Sequence, residues 1–330
     1  MCTFFTYKNG NNYFGRNMDI NTRFGESFLY IPKEYKYSWE RNNKYFVFGI
    51  GVLNDAQPAF FDAINEKGIS MALLNFEGYS EMKEYRDSEV KLTIDQFIAY
   101  ILSQYGSLDE IKRDLEKIYL KDIFNLSGLK GRIRGHIHFI VAKGDESIVI
   151  EPDINGLNVY DNPIGVLTNS PDFKAQMTNL QNYSHLRRKN PGQYFGEVEF
   201  SSYGQGLGAF GLPGDSTPMS RFVRAAFLKY NSVNEKDENS NIVQIFRILD
   251  KVSMLRGEIE VDEKLESLGR FDETTYSVVC NMDEFIYYLK TYDNPNIQKL
   301  DIKEIEDEKG VQKFPFKKDF EFEKINTGDI

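Results

Sequence analysis

Cys2 stands directly behind Met1 and is one of only two cysteines in the chain. Methionine ahead of a small residue is normally excised, which gives Cys2 a free α-amino group with a pKa near ~8. Thiol and amine on one residue act as nucleophile and base together. That chemistry needs no histidine, which suits a chain with three: His136, His138 and His185. The thiolate also wants a cation beside it, and the ammonium wants an acceptor. Arg16 and Asp19 in "FGRNMD" offer both. Taken alone, the two equally suit a surface ion pair worth little. An acyl-transfer site further needs oxyanion donors. Asn75 in "MALLNF" and Asn169 in "GVLTNS" each close an apolar run, a place that also suits an ordinary turn residue.

Three other patterns point elsewhere and carry less. "GLGAFG" from Gly206 has the glycine spacing of a dinucleotide loop, but Leu212, Pro213 and Pro218 deny it the helix that must open at once. It reads as a shaped loop. His136 and His138, two apart, would share one strand face. No His-rich or Cys-rich segment completes a metal-ligand set, so both read as satisfied core or interface residues. Cys280 in "TTYSVVCN" reads as a small packed strand residue. No metal and no cofactor are implied.

The elements that must position these groups are mostly strands. "CTFFTY" and "NYFGRNMDI" flank Asn9-Gly10, a strong hairpin signal. Folding that hairpin brings Arg16 and Asp19 back beside Cys2. "SFLYI", "YFVFGIGVL" and "GISMALLNF" read as strands, the last two flanking "AFFDAINEKG" with a turn at Glu66-Lys67-Gly68. Helical spacing follows in "TIDQFIAYILSQY", capped by Thr93, and in "SLDEIKRDLEKIYL", where Ser107 and Glu110 fit a capping box. Strands return in "IHFIVA", "SIVIEP", "LNVYDN" and "GVLTNS". Helices are predicted over "FKAQMTNLQNY", "MSRFVRAAFLKY" and "NIVQIFRILDKVSML", then strands over "TTYSVVCN" and "EFIYYLKTY". "DIKEIEDEKG" reads as a solvated turn. The pattern implies an α+β fold of antiparallel sheets covered by helices, with residues 1–330 as one domain.

Composition narrows the function classes. A chain of 330 residues with 41% hydrophobic and 27% charged residues is expected to be soluble and globular. A net charge of -10 argues against nucleic acid or an anionic membrane as the main partner. No apolar run reaches the roughly 18 residues of a membrane span, and "MCTFFTYKNG" lacks the basic and apolar regions of a secretory signal. The expected compartment is the cytoplasm, and both cysteines are expected to be free thiols.

"MCT", "FGRNMD", "INEKGISMALLNF", "VYDNPIGVLTNSPDF", "GQGLGAFGLPGDSTPMSRFVRAAFLK" and "YSVVCN" together resemble the choloylglycine hydrolase family, in order from residue 2 to roughly residue 300. The family groups conjugated bile salt hydrolases with penicillin V acylases. The resemblance implies the N-terminal nucleophile hydrolase fold, an αββα sandwich, and hydrolysis of a carboxamide C–N bond. It also implies roles. Cys2 would be the nucleophile, Arg16 would sit beside the thiol, and Asp19 would hold the α-amino group. Asn75 and Asn169 would form the oxyanion hole, Asn169 through its side chain. Arg221 would complete the polar site, in preference to Arg224 one turn later.

The substrate would be a small-molecule amide, either a conjugated bile salt or penicillin V. Asn75 favours bile salts, because the family's bile salt hydrolases resemble this chain there while many of its penicillin V acylases carry tyrosine. An N-acyl homoserine lactone is a third candidate, and a catalytically silent, unprocessed binding protein is the non-enzymatic one. Met18, Phe24, Phe60 and Phe61 would line the apolar part of the pocket, although plain core packing suits them too. The resemblance further implies a homotetramer.

Overall fold

A computed structural model describes residues 1–33, 35–37, 39, 42–54, 57–80, 90–121, 123–124, 133–262, 269–305 and 310–322. Among them the opening hairpin forms as its sequence demands. Strand Cys2–Asn9 pairs antiparallel with Asn11–Ile20, and Gly10 takes the tip at φ +69°, a left-handed conformation that suits a residue without Cβ. The register sets Cys2 opposite Met18 and Phe4 opposite Arg16.

This hairpin is the middle of a seven-stranded sheet. Val166–Leu167 lies on the outer side of the first strand, Phe271–Asn281, Ile286–Thr291 and Gln298–Asp301 follow on the other side, and Ile259–Glu260 pairs with the start of Phe271–Asn281. A second, eight-stranded antiparallel sheet runs in spatial order Gly156–Asp161, Glu146–Asp153, Ile137–Lys143, Ile69–Asn75, Gln57–Asn65, Val47–Asn54, Ser27–Ile31 and Gln312–Pro315. The sheets stack through aromatic edges. Tyr287 of the first meets Phe28 and Phe48 of the second at ring distances of 5.7 and 5.1 Å. Each fully buried aromatic of this kind contributes about 1.5–3 kcal/mol by leaving water.

Helices cover both outer faces. Ile94–Gln104 packs on the second sheet, where Phe97 meets Phe139 at 4.7 Å. Pro218–Asn231 and Glu238–Asp250 cover the first sheet, and Asn17 Nδ2 donates to Leu249 O at 2.9 Å. The result is the αββα layering of the N-terminal nucleophile hydrolases.

Local readings fail where one element gives way to another. The helix from Ser107 ends at Asp114 instead of running to Leu120. Leu108 and Ile111 bury one helical face, but Ile118 and Leu120 are buried with Tyr119 and Lys121 turned outward, a period of two. That stretch pairs parallel with Val90–Thr93. Glu110 reaches back to Gly106 N rather than to Ser107 N, so only half of the capping box forms. "AFFDAIN" is a central strand, although Asp62 interrupts its apolar pattern. Of "DIKEIEDEKG", residues 306–309 lie outside the described residues. The rest is not a solvated turn, because Ile302 and Ile305 are buried. His136 precedes its strand and is exposed while His138 is fully buried, so the two do not share a face.

Candidate active site

Alternation along the hairpin sends its polar residues to two sides. Cys2, Arg16 and Met18 share the face between the sheets. Thr3 and Asp19 face the covering helices. Cys2 is 3% exposed. Its Sγ lies 3.7 Å from Met18 Sδ and 3.9 Å from Arg16 Nη2.

Arg16 is completely buried. Its Nη2 donates to Leu73 O at 2.7 Å, and its Nη1 donates to Asp62 Oδ2 and to Tyr276 OH at 3.2 Å. Tyr276 OH donates in turn to Asp62 Oδ2 at 2.8 Å. Burial works against the guanidinium charge, but Tyr276, Asp62 and Cys2 beside it hold its pKa above the ordinary value. Burial raises Asp62 above the usual carboxylate range, and Arg16 restrains that rise. Gly49 on the neighbouring strand makes room for this arrangement, since a Cβ there would stand 2.2 Å from Asp62 O.

Arg221 occupies the other face, on the helix whose N-cap is Thr217. It too is fully buried. Nη1 donates to Cys2 O at 2.6 Å and to Thr3 Oγ1 at 2.7 Å, Nη2 to Asn169 Oδ1 at 2.6 Å, and Nε to Ser216 O at 3.0 Å. Burial pulls its pKa down, and Asp19 and Cys2 offset part of that. Arg224 instead clamps a loop, donating to Pro213 O, Asp215 O and Lys251 O.

Asn169 joins the two sides. Its Oδ1 accepts from Cys2 N at 2.8 Å, and its Nδ2 donates to Asn75 O at 2.8 Å. The Asn75 side chain makes no hydrogen bond among the described residues. With Met1 in place, Cys2 N is a peptide nitrogen, and Met1 extends the hairpin by accepting from Asp19 N at 2.9 Å. The Asp19 carboxylate accepts from Thr274 Oγ1 at 2.5 Å, while its Oδ2 has no hydrogen bond and lies 3.8 Å from Arg221 Nη1. Burial raises its pKa, and Arg221 and the chain's amino terminus restrain the rise. In this Met1-bearing form the acceptor on the Cys2 peptide nitrogen is Asn169.

The structure thus brings Cys2, Arg16, Asp19, Asn75, Asn169 and Arg221 together. Met18 touches the thiol. Phe60 and Phe61 are fully buried; Phe61 falls at a register shift and meets partly buried Phe24 at 5.7 Å. A cleft of about 340 Å³ lined by Arg23, Arg256, Arg270 and Glu273 contains none of these residues. No group of three or more His, Cys, Asp or Glu among the described residues is placed to hold a metal ion. Asp62 and Tyr276 went unrecognised in the sequence. An acid inside an apolar strand run was the available signal for Asp62, and Tyr276 offered none.

The profile of the linear amide C–N hydrolases, choloylglycine hydrolase family, matches residues 2–308. The chain belongs to this family. It is a choloylglycine hydrolase-type enzyme that cleaves linear amide C–N bonds. It is 39% identical to a bile salt hydrolase/transferase of Lactiplantibacillus plantarum over 307 residues, 92% of either chain. It is 34% identical to a Clostridium perfringens protein of the same description, covering 97% of each. A solved conjugated bile acid hydrolase from Clostridium perfringens superposes with a TM-score of 0.86 at 32% identity, over 99% of this chain and 100% of the other. A penicillin V acylase from Agrobacterium tumefaciens shares the fold with a TM-score of 0.74 at 20% identity, over 94% and 90% of the chains. No helix among the described residues of this hydrolase is long and apolar enough to cross a membrane.

Proposed function

We propose that the enzyme deconjugates glycine- or taurine-conjugated bile salts through a thioester on Cys2. The observation that carries this reading is the setting of Cys2: its nitrogen 2.8 Å from Asn169 Oδ1 and its thiol 3.9 Å from a charged, buried Arg16. Removal of Met1 turns that nitrogen into an amine beside Asn169, and Asp19, whose Oδ2 has no hydrogen bond, is the carboxylate for it on the paired strand. The amine takes the thiol proton, and Arg16 favours the thiolate. The thiolate attacks the amide carbon. Asn75 and the second N–H of Asn169 Nδ2 face the developing oxyanion. The ammonium passes its proton to the departing glycine or taurine. Water then attacks the thioester, giving its proton to the amine and, on collapse, returning the thiol. Arg221 holds Cys2 O and Asn169 Oδ1 in register throughout.

The bile salt assignment is supported by relatives at 30–39% identity that are described as acting on bile salts, against 23% for a penicillin V acylase from Pectobacterium atrosepticum. Rates measured side by side on glycocholate, taurocholate and penicillin V decide it, using protein whose intact mass shows loss of Met1. A larger kcat/KM on penicillin V would overturn the assignment.

The same reading treats residues 1–330 as one catalytic unit working as a homotetramer in the cytoplasm. Self-association is supported by the exposed aromatics Tyr194, Phe195, Phe200 and Tyr203 in and beside a short hairpin, since clustered exposed aromatics favour a partner. Light scattering that gives a monomer mass would remove the tetramer.

A further inference from the structure

We propose that His138 is a positioning residue for the oxyanion hole, bracing both asparagines from the second sheet. This inference rests on the amide-hydrolase reading of Asn75 and Asn169 given above. His138 lies on Ile137–Lys143, is fully buried, and uses every part of its ring. Nε2 is 3.0 Å from Thr168 O, the carbonyl that leads into Asn169. Nδ1 is 3.3 Å from Glu151 Oε1. The ring face stacks on Phe76, which follows Asn75, at 4.3 Å and 10°. Asn169 Nδ2 closes the circuit by donating to Asn75 O. The contacts therefore run His138, Thr168, Asn169, Asn75, Phe76 and back to His138.

The donor roles follow from the partners. A carbonyl can only accept, so Nε2 carries a hydrogen. Glu151 Oε1 also accepts from Phe173 N at 2.8 Å, which holds the carboxyl group in place beside Nδ1. The bonds fix the ring plane. The segment they hold needs such help. Strand pairing at the sheet edge ends with Phe4 opposite Leu167, so Thr168 and Asn169 leave the ladder. Thr168 Oγ1 donating to Pro218 O at 2.9 Å and Gln176 Nε2 donating to Asn169 O at 3.0 Å hold the same segment from the helix side. His138 links it to the Asn75 side of the site through a ring, beside the direct bonds from Asn169 Nδ2 to Asn75 O and from Ser170 Oγ to Glu77 O at 2.6 Å. A shift of the order of 1 Å in an oxyanion donor costs up to about 100-fold in rate.

The test compares His138→Phe, which keeps the stack and removes both hydrogen bonds, with His138→Gln, which can still donate to Thr168 O. The substrate is whichever of glycocholate, taurocholate or penicillin V the wild-type enzyme turns over best. A second readout is the rate at which iodoacetamide alkylates Cys2, because alkylation needs the thiolate but builds no oxyanion. The expected result for His138→Phe is a kcat lowered about 10- to 100-fold, with KM and alkylation rate changed less than about threefold. His138→Gln is expected to recover part of kcat. Where His138→Phe does not fold, His138→Leu replaces it under the same criteria. An unchanged kcat, or a kcat loss matched by an equal loss of alkylation, overturns the role of His138. A wild-type enzyme that turns over none of the three amides overturns the underlying reading, and this inference with it.

Discussion

Arg16 and Arg221 are both fully buried and both reach Cys2, yet Arg16 meets a carboxylate directly while Arg221 meets none within hydrogen-bond distance. Between the sheets, Asp62 and Tyr276 compensate the Arg16 charge, and the guanidinium approaches the thiol from one side. Beneath the helices, Arg221 donates to two carbonyls, a hydroxyl and an amide oxygen on four different residues. Arg16 is thus suited to supplying charge, and Arg221 to fixing geometry. Burial with a tight ion pair raises the pKa of the first; burial without one lowers that of the second. A lysine could replace neither faithfully, because only the planar fork serves several acceptors at once.

Five substitutions test that division. Cys2→Ala removes the thiol that Arg16 faces and leaves the carbonyl that Arg221 holds. Amide hydrolysis is expected to fall about 10⁴-fold or more, with the unfolding temperature held within a few degrees. Alkylation should be lost with Cys2 and not with Cys280, whose thiol burial pushes well above its ordinary pKa. Asp62→Asn leaves a buried guanidinium uncompensated, and denaturant unfolding is expected to show a loss of about 3–5 kcal/mol. Asp19→Asn keeps its acceptor for Thr274 and is expected to cost about 1 kcal/mol. Equal losses would erase the contrast between the two sides.

Arg221→Lys cannot span Cys2 O, Asn169 Oδ1 and Ser216 O together, so kcat is expected to fall about 100-fold. Arg224→Lys should stay within about threefold of wild type, because its bonds lie in the loop. Comparable kcat losses would show that the loop, and not Arg221, organises the site.

The smallest effect concerns the start of the Arg221 helix. Hydrogen bonds from Ser220 and Thr217 hold Asp215 down to about 2. A depressed carboxylate stabilises the fold above its unfolded pKa near ~4, and that contribution fades as pH falls through about 2. Wild type should therefore melt above Asp215→Asn at pH 6, with the difference closing by about pH 2. A gap that widens on acidification would reverse the sign.

Legibility in the sequence followed the range of the interactions. The hairpin was readable because Asn9-Gly10 and two alternating runs are local signals, and its register then carries Arg16 and Asp19 back to the thiol. Thr93 and Ser107 marked helix starts for the same reason. The helix end at Asp114 was not readable, since pairing with Val90–Thr93 outweighs the helical propensity of the residues beyond it. Asp62, Tyr276 and the brace at His138 depend on stacked sheets, and residues 46, 260 and 30 positions from their partners leave no periodic trace.

The sequence by itself determined that Cys2 directly follows Met1, and that an arginine and an aspartate return to it across one tight turn. Covalent order and strand alternation are enough for that. It also determined the family, through blocks of residues in order. Only the tertiary structure decided that Asn169 reaches Cys2 N, and that Arg221 rather than Arg224 enters the site. Helix rotation and sheet stacking set those choices, because they place side chains that share no local element within 3 Å of one another.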